Sequence, residues 1–431
     1  MEGQRKYPTG VSFFRSAAPA DGKPRHWFAR QVDEIAADPV LRLYGMALAL
    51  AYAVTYLAWT TPPGITRMLA SGAPAICWPF WENCSVARVF DAATIETILK
   101  TWLAAALFAG VAFAFRRTVA LGVLGLFLVE IVRVLIVVQD FRLRLNQHTM
   151  LAWVAAAFFL LPSKRRLIPA LLVSFYFWAG VLKLDGEWLS GAALYNLDRF
   201  WIPAPLVPAA CAYVVLLELV LVWGLYSRRA MIFWGTLAQL AVFHVFSWPV
   251  VGFYYPLLMF ALLSIFPADR LLGGAAVEPG AARAPASGLA AAFLGAFALS
   301  QVVAYAFPGD SAITGEGRLF ALNMFDAKVV CEGSMRLHMG EDRILEVPIA
   351  NEAYAHRIRC DPVLYFNLAR NACRQFRPSG WITDLDLRLR SRRTTERELR
   401  DVIVLDRFCE TDPTFDMWRP NPWILHQQPV E

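Results

Sequence analysis

A lysine stands at the end of an apolar run in the stretch FYFWAGVLKLDGEWLSG, which extends from Phe175 to Gly191. The residues before Lys183 are typical of a membrane helix, and Asp185 follows two positions later. Burial disfavours the charged form of an amine, so a desolvated lysine can keep a free lone pair and act as a base. The alternative is an anchor whose long side chain carries its charge to the membrane surface. The stretch itself leaves both roles open.

Two histidines are predicted to lie at the same membrane depth as Lys183. His148 is in LNQHTM at the outer start of one predicted helix, and His244 is in AVFHVFSWP near the outer end of another. A lone histidine at an interface is usually a satisfied polar group, whereas an imidazole beside a base can orient a substrate or stabilise an anion. Three ionisable groups at one level favour a functional site.

Other polar residues within apolar runs have simpler explanations. Glu130 and Arg133 are three residues apart on one predicted helix, a spacing that favours a structural ion pair. Glu218 and Gln239 lie in two different predicted helices. They are interpreted either as partners in hydrogen bonds across a helix interface or as residues that line a cavity.

The composition indicates a membrane protein. Of 431 residues, 57% are hydrophobic and 18% are charged, whereas soluble domains have about 25% charged residues. The net charge of +6 does not predict a nucleic-acid partner, because the basic residues lie mostly in short loops between apolar runs, where they determine topology. The lipid bilayer is therefore the expected partner.

The apolar runs predict about nine transmembrane helices with the N-terminus inside. Alternation from that start places the basic segments, such as Arg116–Arg117 and Lys164–Arg166, on the inner side, as the positive-inside rule requires. The seventh and eighth runs are separated by SWP, which we interpret as a tight turn. The runs are 43–60, 98–115, 120–138, 150–161, 167–184, 206–226, 231–246, 251–266 and 289–307.

The last 124 residues differ from the rest of the chain. Period-two stretches such as RILEVPIA predict strands, and PVLYFNLARNACRQF has helical spacing. The expected fold class is an α-helical polytopic membrane protein with a C-terminal extracytoplasmic α+β domain. The predicted domains are a cytoplasmic N-terminal segment, 1–42, a transmembrane domain, 43–307, and the extracytoplasmic domain, 308–431. The expected location is a bacterial inner membrane, with the last domain in the periplasm or outside.

Six of the seven cysteines fall on the predicted outer side, where an oxidising environment favours disulfides. Six cysteines allow fifteen pairings, and spacing alone does not choose among them. Cys211 is predicted to be a buried thiol. The chain has no C-x-x-C motif and its histidines are scattered, so no metal site is predicted. The six expected disulfide cysteines are Cys77, Cys84, Cys331, Cys360, Cys373 and Cys409.

The stretch YFWAGVLKLDGEWLSGAALYNLDRFWI resembles a segment of the vitamin K-dependent γ-glutamyl carboxylases and of the bacterial proteins with a horizontally transferred transmembrane (HTTM) domain. The family segment is A-G-V-K-K-L-D-x-x-W-x-x-G, followed by a Y-L-x-R-x-W-type stretch. LNQH resembles the family's W-N-N-H motif. Phe243-His244, followed by Gly252, Phe253 and Tyr255, resembles the family's later F-H segment with its G-x-F-x-Y pattern. The sequence differs from the family at Leu182, Leu145 and Gln147. The residues that occupy positions of these family motifs include Lys183, Asp185, Trp188, Arg199, Asn146, Gln147, His148, His244 and Tyr255.

The resemblance implies a specific chemistry. In that family a lysine deprotonates vitamin K hydroquinone, which reacts with O2 to form a strong base and leaves as an epoxide. The base removes a γ-proton from a peptide glutamate, and CO2 adds to the carbanion. Lys183 would then be the base, and His148 would assist the carbanion or the CO2 addition. The implied cofactor is reduced phylloquinone or menaquinone, with O2 and CO2 as co-substrates and no metal.

The resemblance also implies binding residues, a substrate partner and one disulfide. Asn146, Gln147, Asp185, Trp188, Arg199, His244 and Tyr255 would bind cofactor or substrate. A glutamate-containing peptide or protein on the outer side is the candidate substrate. A cysteine on the family helix that PVLYFNLARNACRQF resembles is bridged to the first lumenal loop. This favours a disulfide between Cys373 and either Cys77 or Cys84 here, with Cys77–Cys373 preferred.

Two other functions remain as alternatives. A protein of the HTTM fold could bind a quinone or lipid, or epoxidise a quinol, without carboxylating glutamate. A scaffold protein could instead act through its C-terminal domain alone.

Overall fold

The computed structural model describes residues 26–194, 201–273, 288–322, 328–340, 343–350, 354 and 358–426. Within these ranges, helices dominate up to residue 322, and a small antiparallel sheet follows. The helices are α1 Trp27–Ala37, α2 Pro39–Thr60, α3 Thr66–Leu69, α4 Ala92–Ala112, α5 Val119–Val138, α6 Asn146–Leu160, α7 Lys164–Leu182, α8 Gly186–Ser190, α9 Val207–Leu219, α10 Ala230–Val251, α11 Tyr254–Leu263, α12 Ile265–Leu272, α13 Gly288–Val302, α14 Ser311–Thr314, α15 Pro362–Phe376 and α16 Phe408–Thr411. The strands are β1 Val329–Met339, β2 Arg343–Pro348, β3 Asp384–Arg393 and β4 Arg400–Leu405.

Eight helical segments in the described part of the chain are long and apolar enough to cross a membrane. The chain is therefore a membrane protein with transmembrane helices, as the composition predicts. The segments are Pro39–Thr60, Ala92–Ala112, Arg116–Val138, Lys164–Leu182, Ala204–Tyr226, Ala230–Val251, Tyr254–Leu272 and Gly288–Ala306.

The fourth predicted run, 150–161, lies in α6, which is not one of these eight segments. This helix has 15 residues, so it is about 22 Å long, whereas the hydrocarbon core of a bilayer is about 30 Å thick. More than half of its residues are buried among neighbouring helices. A short helix of this kind is stabilised by the protein around it, and the sequence pattern does not distinguish it from a span.

The predicted turn at SWP is wrong. The helix α10 continues through Pro249 to Val251, and the chain reverses at Gly252 instead. Gly252 has a φ of 75°, which glycine adopts without the strain that a Cβ would cause. Its N–H donates to the carbonyl of Trp248 at 2.8 Å. Glycine is the C-terminal stop signal here, and the proline lies inside the helix.

The C-terminal domain combines one helix with the sheet. The strands are antiparallel in the order β2-β1-β3-β4, and Leu337 of β1 lies opposite Leu385 of β3. The helix α15 packs against β3, and leucines that alternate along that strand are buried beneath it. Asp361 caps this helix by accepting the N–H of Val363 at 3.0 Å, with Pro362 in the first turn. The predicted helix and strands are present in this small antiparallel-sheet domain.

All six predicted disulfide cysteines are bridged, but the favoured pairing is wrong. Cys77 is bonded to Cys84, and the other two disulfides are Cys331–Cys360 and Cys373–Cys409. Cys211 is a buried free thiol, as predicted.

The face of α15 that carries Cys373 explains this correction. Asn367 and Asn371 are four residues apart on α15 and share one face of it. That face meets the segment between α3 and α4, which contains Cys77. The amide of Asn367 accepts the N–H of Cys77 at 2.9 Å and donates to its carbonyl at 3.0 Å. Cys373 is six residues after Asn367, so it lies on another side of the helix, where it meets Cys409 of α16. Hydrogen bonds hold the two segments together where a disulfide was expected.

The Cys77–Cys84 bridge is expected to stabilise the protein modestly. The bridged residues are 7 positions apart, and a loop of this length corresponds to about 2.5 kcal/mol in the chain-entropy description. The variant Cys77→Ser/Cys84→Ser should lose about that much free energy of unfolding, measured by denaturant titration in detergent micelles. A digest under non-reducing conditions that linked Cys77 to Cys373 would contradict the assignment.

Candidate functional site

Lys183 follows the last residue of α7 and points into the protein. Its side chain is buried, and Nζ lies 2.7 and 2.6 Å from the two carboxylate oxygens of Glu218 in α9. Glu218 is completely buried. A buried pair of this kind is held by its own Coulomb attraction, and either charge left alone would be costly. The anchor interpretation of Lys183 is therefore wrong, because the amine does not reach the surface.

Close packing of α7 against α9 brings this pair together. A Cβ on Gly180 would lie 2.9 Å from the side chain of Leu219 and 3.1 Å from Cβ of Glu218. Both distances are shorter than ordinary van der Waals contact, so a larger residue would force Leu219 to move or push α7 and α9 apart. Gly180 thus sets the separation that lets Lys183 reach Glu218. Of the two interpretations of Glu218, the structure shows the hydrogen bond across a helix interface.

Trp188 covers the lysine from α8. The Nζ of Lys183 lies 5.1 Å from the centroid of the indole ring, within the range of a cation–π contact. The indole N–H donates to the carbonyl of Cys211 at 3.0 Å, which fixes the ring against α9. The amine of Lys183 is thereby placed between a carboxylate and an aromatic face.

A cavity of about 400 Å³ adjoins this pair. That volume is within the range of about 300 to 1,000 Å³ that is usual for small-molecule sites. Lys183 and Trp188 contribute to one part of its wall, and apolar side chains of α9, α10 and α11 form most of the rest. Tyr255, which is one of the predicted binding residues, also lines it. The site combines an apolar chamber with a single buried amine.

His244 lies behind this wall. It is completely buried, its Nε2 is 2.6 Å from the hydroxyl of Tyr176, and its ring is 5.2 Å from that of Tyr255. Its Nδ1 has no hydrogen-bond partner among the described residues. Tyr255 and the neighbouring Phe243 line the cavity. These two side chains would therefore separate the imidazole from a bound molecule. It can position Tyr255 but does not itself line the chamber.

His148 belongs to a different polar cluster. The indole N–H of Trp59 donates to its Nε2 at 3.2 Å, so the ring proton is on Nδ1, which lies 3.1 Å from the hydroxyl of Tyr254. Tyr254 can then donate to Thr55 at 3.0 Å, and Thr55 donates to the carbonyl of Ala51. Both ring nitrogens therefore have partners, and His148 does not line the cavity. The structure does not bring this histidine together with Lys183.

The ion pair of Glu130 with Arg133 completes the second cluster. Two hydrogen bonds of 2.6 Å join the guanidinium to the carboxylate, and the hydroxyl of Tyr52 donates to the same carboxylate at 3.0 Å. The predicted structural pair is confirmed. Both side chains are buried, so this cluster ties α2 to α5 inside the helical domain.

Three of the remaining predicted site residues, Asn146, Gln147 and Asp185, are not in the cavity wall. Asn146 is buried at the first position of α6, and the next residue, Gln147, is half-buried. Asp185 caps α8 by accepting the N–H of Glu187 at 2.8 Å. It also forms an ion pair of 3.0 Å with Arg393 of β3. Arg199 lies outside the described residues.

The segment after Lys183 contacts the C-terminal domain. Arg393 pairs with Asp310 as well as Asp185, at 2.6 Å. Burial raises the pKa of the Asp310 carboxyl, but the hydrogen bond and the charge of Arg393, together with the backbone N–H of Ala312, outweigh it, so this pKa is below its usual value. The carboxylate of Glu187 accepts hydrogen bonds from the backbone N–H groups of Lys328 and Thr395, both at 3.1 Å. The segment from Lys183 to Trp188, which we call the lysine segment, therefore contacts α9 on one side and the sheet domain on the other.

Sequence reasoning missed the partner of Lys183. Glu218 was noted, but its role as the partner of Lys183 was not, because nothing in the spacing relates residues on separate helices. Gln239 lines the cavity and accepts a hydrogen bond from Tyr213 of α9, so both of its predicted roles occur together. The one sequence signal for Glu218 was an acidic residue within an apolar run, opposite in charge to Lys183.

No protein-family model, curated protein or solved structure matches the chain. A functional proposal for the chain therefore depends on the resemblance of its motifs and on the geometry of the site.

Proposed function

We propose that the chain is an integral-membrane enzyme of the vitamin K-dependent γ-glutamyl carboxylase type, in which Lys183 is the base. The observation that supports this most directly is the buried Lys183–Glu218 pair at the wall of an apolar cavity between membrane-spanning segments. The N-terminus would be inside, and the C-terminal domain on the outer side of a bacterial inner membrane.

The cavity fits the implied cofactor. A naphthoquinol has a flat apolar ring with a hydroxyl group at each end, and it requires apolar walls with one polar partner. The indole of Trp188 and the ring of Tyr255 provide aromatic surfaces, and the amine of Lys183 is the basic group in the wall. When bound, reduced vitamin K with O2 would supply the epoxide-forming chemistry that generates the base for glutamate carboxylation.

The Lys183–Glu218 pair can hold the proton that this chemistry releases. A base needs a free lone pair, so the amine acts when the proton shared by the pair lies on the Glu218 carboxyl. The amine could then accept a proton from a hydroxyl group of the bound ring and become an ammonium. Such an ammonium would stabilise a nearby negative charge strongly, because the chamber is apolar. The apolar walls also exclude water, which would quench a strong base.

Epoxide formation is the test of this proposal. Purified protein in lipid nanodiscs is given phylloquinone hydroquinone under O2, and the epoxide is measured by mass spectrometry. The variant Lys183→Ala should lose at least about 100-fold in rate, the usual contribution of a general base. The matched control Lys100→Ala removes an exposed lysine and should keep the wild-type rate. If wild type forms no epoxide, the proposal is overturned.

A second candidate function is quinol binding or epoxidation without carboxylation. The position of His148 favours it, because this residue, to which the resemblance assigns the carboxylation step, does not line the cavity. A glutamate-containing peptide and isotopically labelled CO2 added to the same assay separate the two functions. Label in the peptide supports the carboxylase, and epoxide without label supports the second candidate.

A further inference from the structure

The cavity lies in a cleft between α9 and α10. The helix α9 packs against α7 and α8, whereas α10 packs mainly against the 3-10 segment Leu221–Tyr226 and against α11. Contact between α9 and α10 themselves is slight. Residues of both helices line the cavity, so it occupies the space between them.

Residues on the outer surface of the helical domain line this cavity. Val242 and Tyr213 have exposed fractions of 54% and 43%, yet both are part of the cavity wall. A wall residue with a large exposed fraction marks an opening. Both helices belong to segments that are apolar enough to span a membrane, so this opening faces the hydrocarbon of the bilayer. In the described part of the chain, the cavity is therefore accessible from the side.

One polar contact crosses the opening. The hydroxyl of Tyr213 on α9 donates to the side-chain carbonyl of Gln239 on α10, and the amide nitrogen of Gln239 donates to the carbonyl of Gly235 at 3.0 Å. Both side chains line the cavity. In hydrocarbon an unpaired hydroxyl or amide is unfavourable, so the contact draws the two helices together. The other wall residues of α9 and α10 are mostly apolar, and apolar side chains adapt easily to a passing ligand.

We propose that the cleft between α9 and α10 is the entrance through which a lipid-soluble quinone reaches Lys183 from the bilayer, and that the Tyr213–Gln239 hydrogen bond holds this entrance closed. The ring lies against Lys183 and Trp188, and the long apolar chain of the quinone lies in the cleft. The identity of the ligand rests on the proposed function. The entrance itself rests on the opening and on the contact that crosses it.

Association kinetics test the closing contact. Phylloquinone is mixed with protein in nanodiscs, and binding is followed by quenching of tryptophan fluorescence. The variant Tyr213→Phe keeps the ring and removes the hydrogen bond, so association should be about three- to ten-fold faster, as expected for one hydrogen bond. The control Tyr226→Phe removes a hydroxyl from another exposed tyrosine, which does not line the cavity, and should leave the rate unchanged. Equal rates for both variants and wild type would overturn the role of the contact.

A covalent block tests the position of the entrance. Val242→Cys is made in a Cys211→Ala background, so that the introduced thiol is the one target for a pyrene maleimide. Labelling should slow phylloquinone association at least about ten-fold relative to the same protein before labelling. The control Val245→Cys labels an exposed residue on the same helix that does not line the cavity, and its rate should not change. If labelled Val242→Cys binds as fast as before labelling, the entrance is elsewhere.

The two proposals fail in different ways. If labelling at residue 242 blocks phylloquinone binding but the unlabelled wild-type protein forms no epoxide, the entrance is correct and the enzyme function is wrong. If epoxide forms equally fast after labelling at residues 242 and 245, the enzyme function stands and the entrance is wrong. A phospholipid that remains bound in the presence of excess phylloquinone, detected by native mass spectrometry, would overturn the quinone as the occupant.

Discussion

Replacing Glu218 with leucine is expected to lower the free energy of unfolding by about 3 to 5 kcal/mol, because it leaves the Lys183 amine buried without its partner. The double variant Lys183→Met/Glu218→Leu should recover most of this loss. Two apolar side chains of similar volume need no compensation, so replacing a buried ion pair entirely is often nearly neutral. Titration with sodium dodecyl sulfate in lipid–detergent micelles, followed by tryptophan fluorescence, measures both variants.

The exposed Glu96–Lys100 pair is the matched control for this experiment. It has a similar separation, 2.7 Å, but both side chains are more than half exposed. Exposed pairs contribute little, because water already solvates both charges. Glu96→Leu should therefore unfold at nearly the wild-type midpoint. If Glu218→Leu also did, or if the double variant were as unstable as the single one, the buried pair would not be a stabilising unit.

The double variant also separates stability from chemistry. Lys183→Ala alone leaves the Glu218 carboxyl buried, so a loss of activity could reflect a damaged fold. The double variant lacks the base but is expected to keep its stability. A protein that unfolds normally, binds phylloquinone and forms no epoxide would assign the chemistry to the lysine.

The sequence was sufficient to predict the helical segments and to identify Lys183 as a candidate site residue. A charge at the end of an apolar run is conspicuous because membrane burial makes it costly. Eight of the nine predicted runs correspond to segments of spanning length, and the exception, α6, is an apolar helix that the protein surrounds. Apolar character reports removal from water, whether the surroundings are lipid or other helices. The difference between those two cases is not encoded locally.

Pairing between distant elements could not be predicted in the same way. Lys183 and Glu218 are 35 positions apart, and their contact depends on the close approach of two helices at Gly180. The Cys77–Cys373 pairing came from a resemblance that indicates which segments meet. It does not indicate which side chains face each other, and on α15 the asparagines occupy the contact face. The separation of His148 from the cavity likewise follows from the packing of α2 and α11 around it.

Glu187 is expected to join the cavity to the C-terminal domain. The variant Glu187→Leu should lower the free energy of unfolding by about 3 kcal/mol. Its carboxylate is buried and accepts two backbone N–H groups and the hydroxyl of Thr395, the last at 2.6 Å. Hydrogen bonds to a charged group contribute about 1.5 to 3 kcal/mol each, and partial exposure of these donors reduces that sum. Leucine would leave all three donors without their acceptor.

The loss should be visible at the cavity, because Glu187 is next to Trp188. Release of α8 from the sheet domain would loosen the indole that covers Lys183, so phylloquinone should dissociate faster from Glu187→Leu. Hydrogen exchange should rise in residues 185–194 while the helices α2, α4 and α5 keep their protection. The control Glu398→Leu changes an exposed residue in the connection between β3 and β4, which also contains Thr395. It should alter neither quantity. If exchange rose equally throughout the chain, the contact would serve global stability. A local rise with faster dissociation would show that the C-terminal domain holds the lysine segment in place.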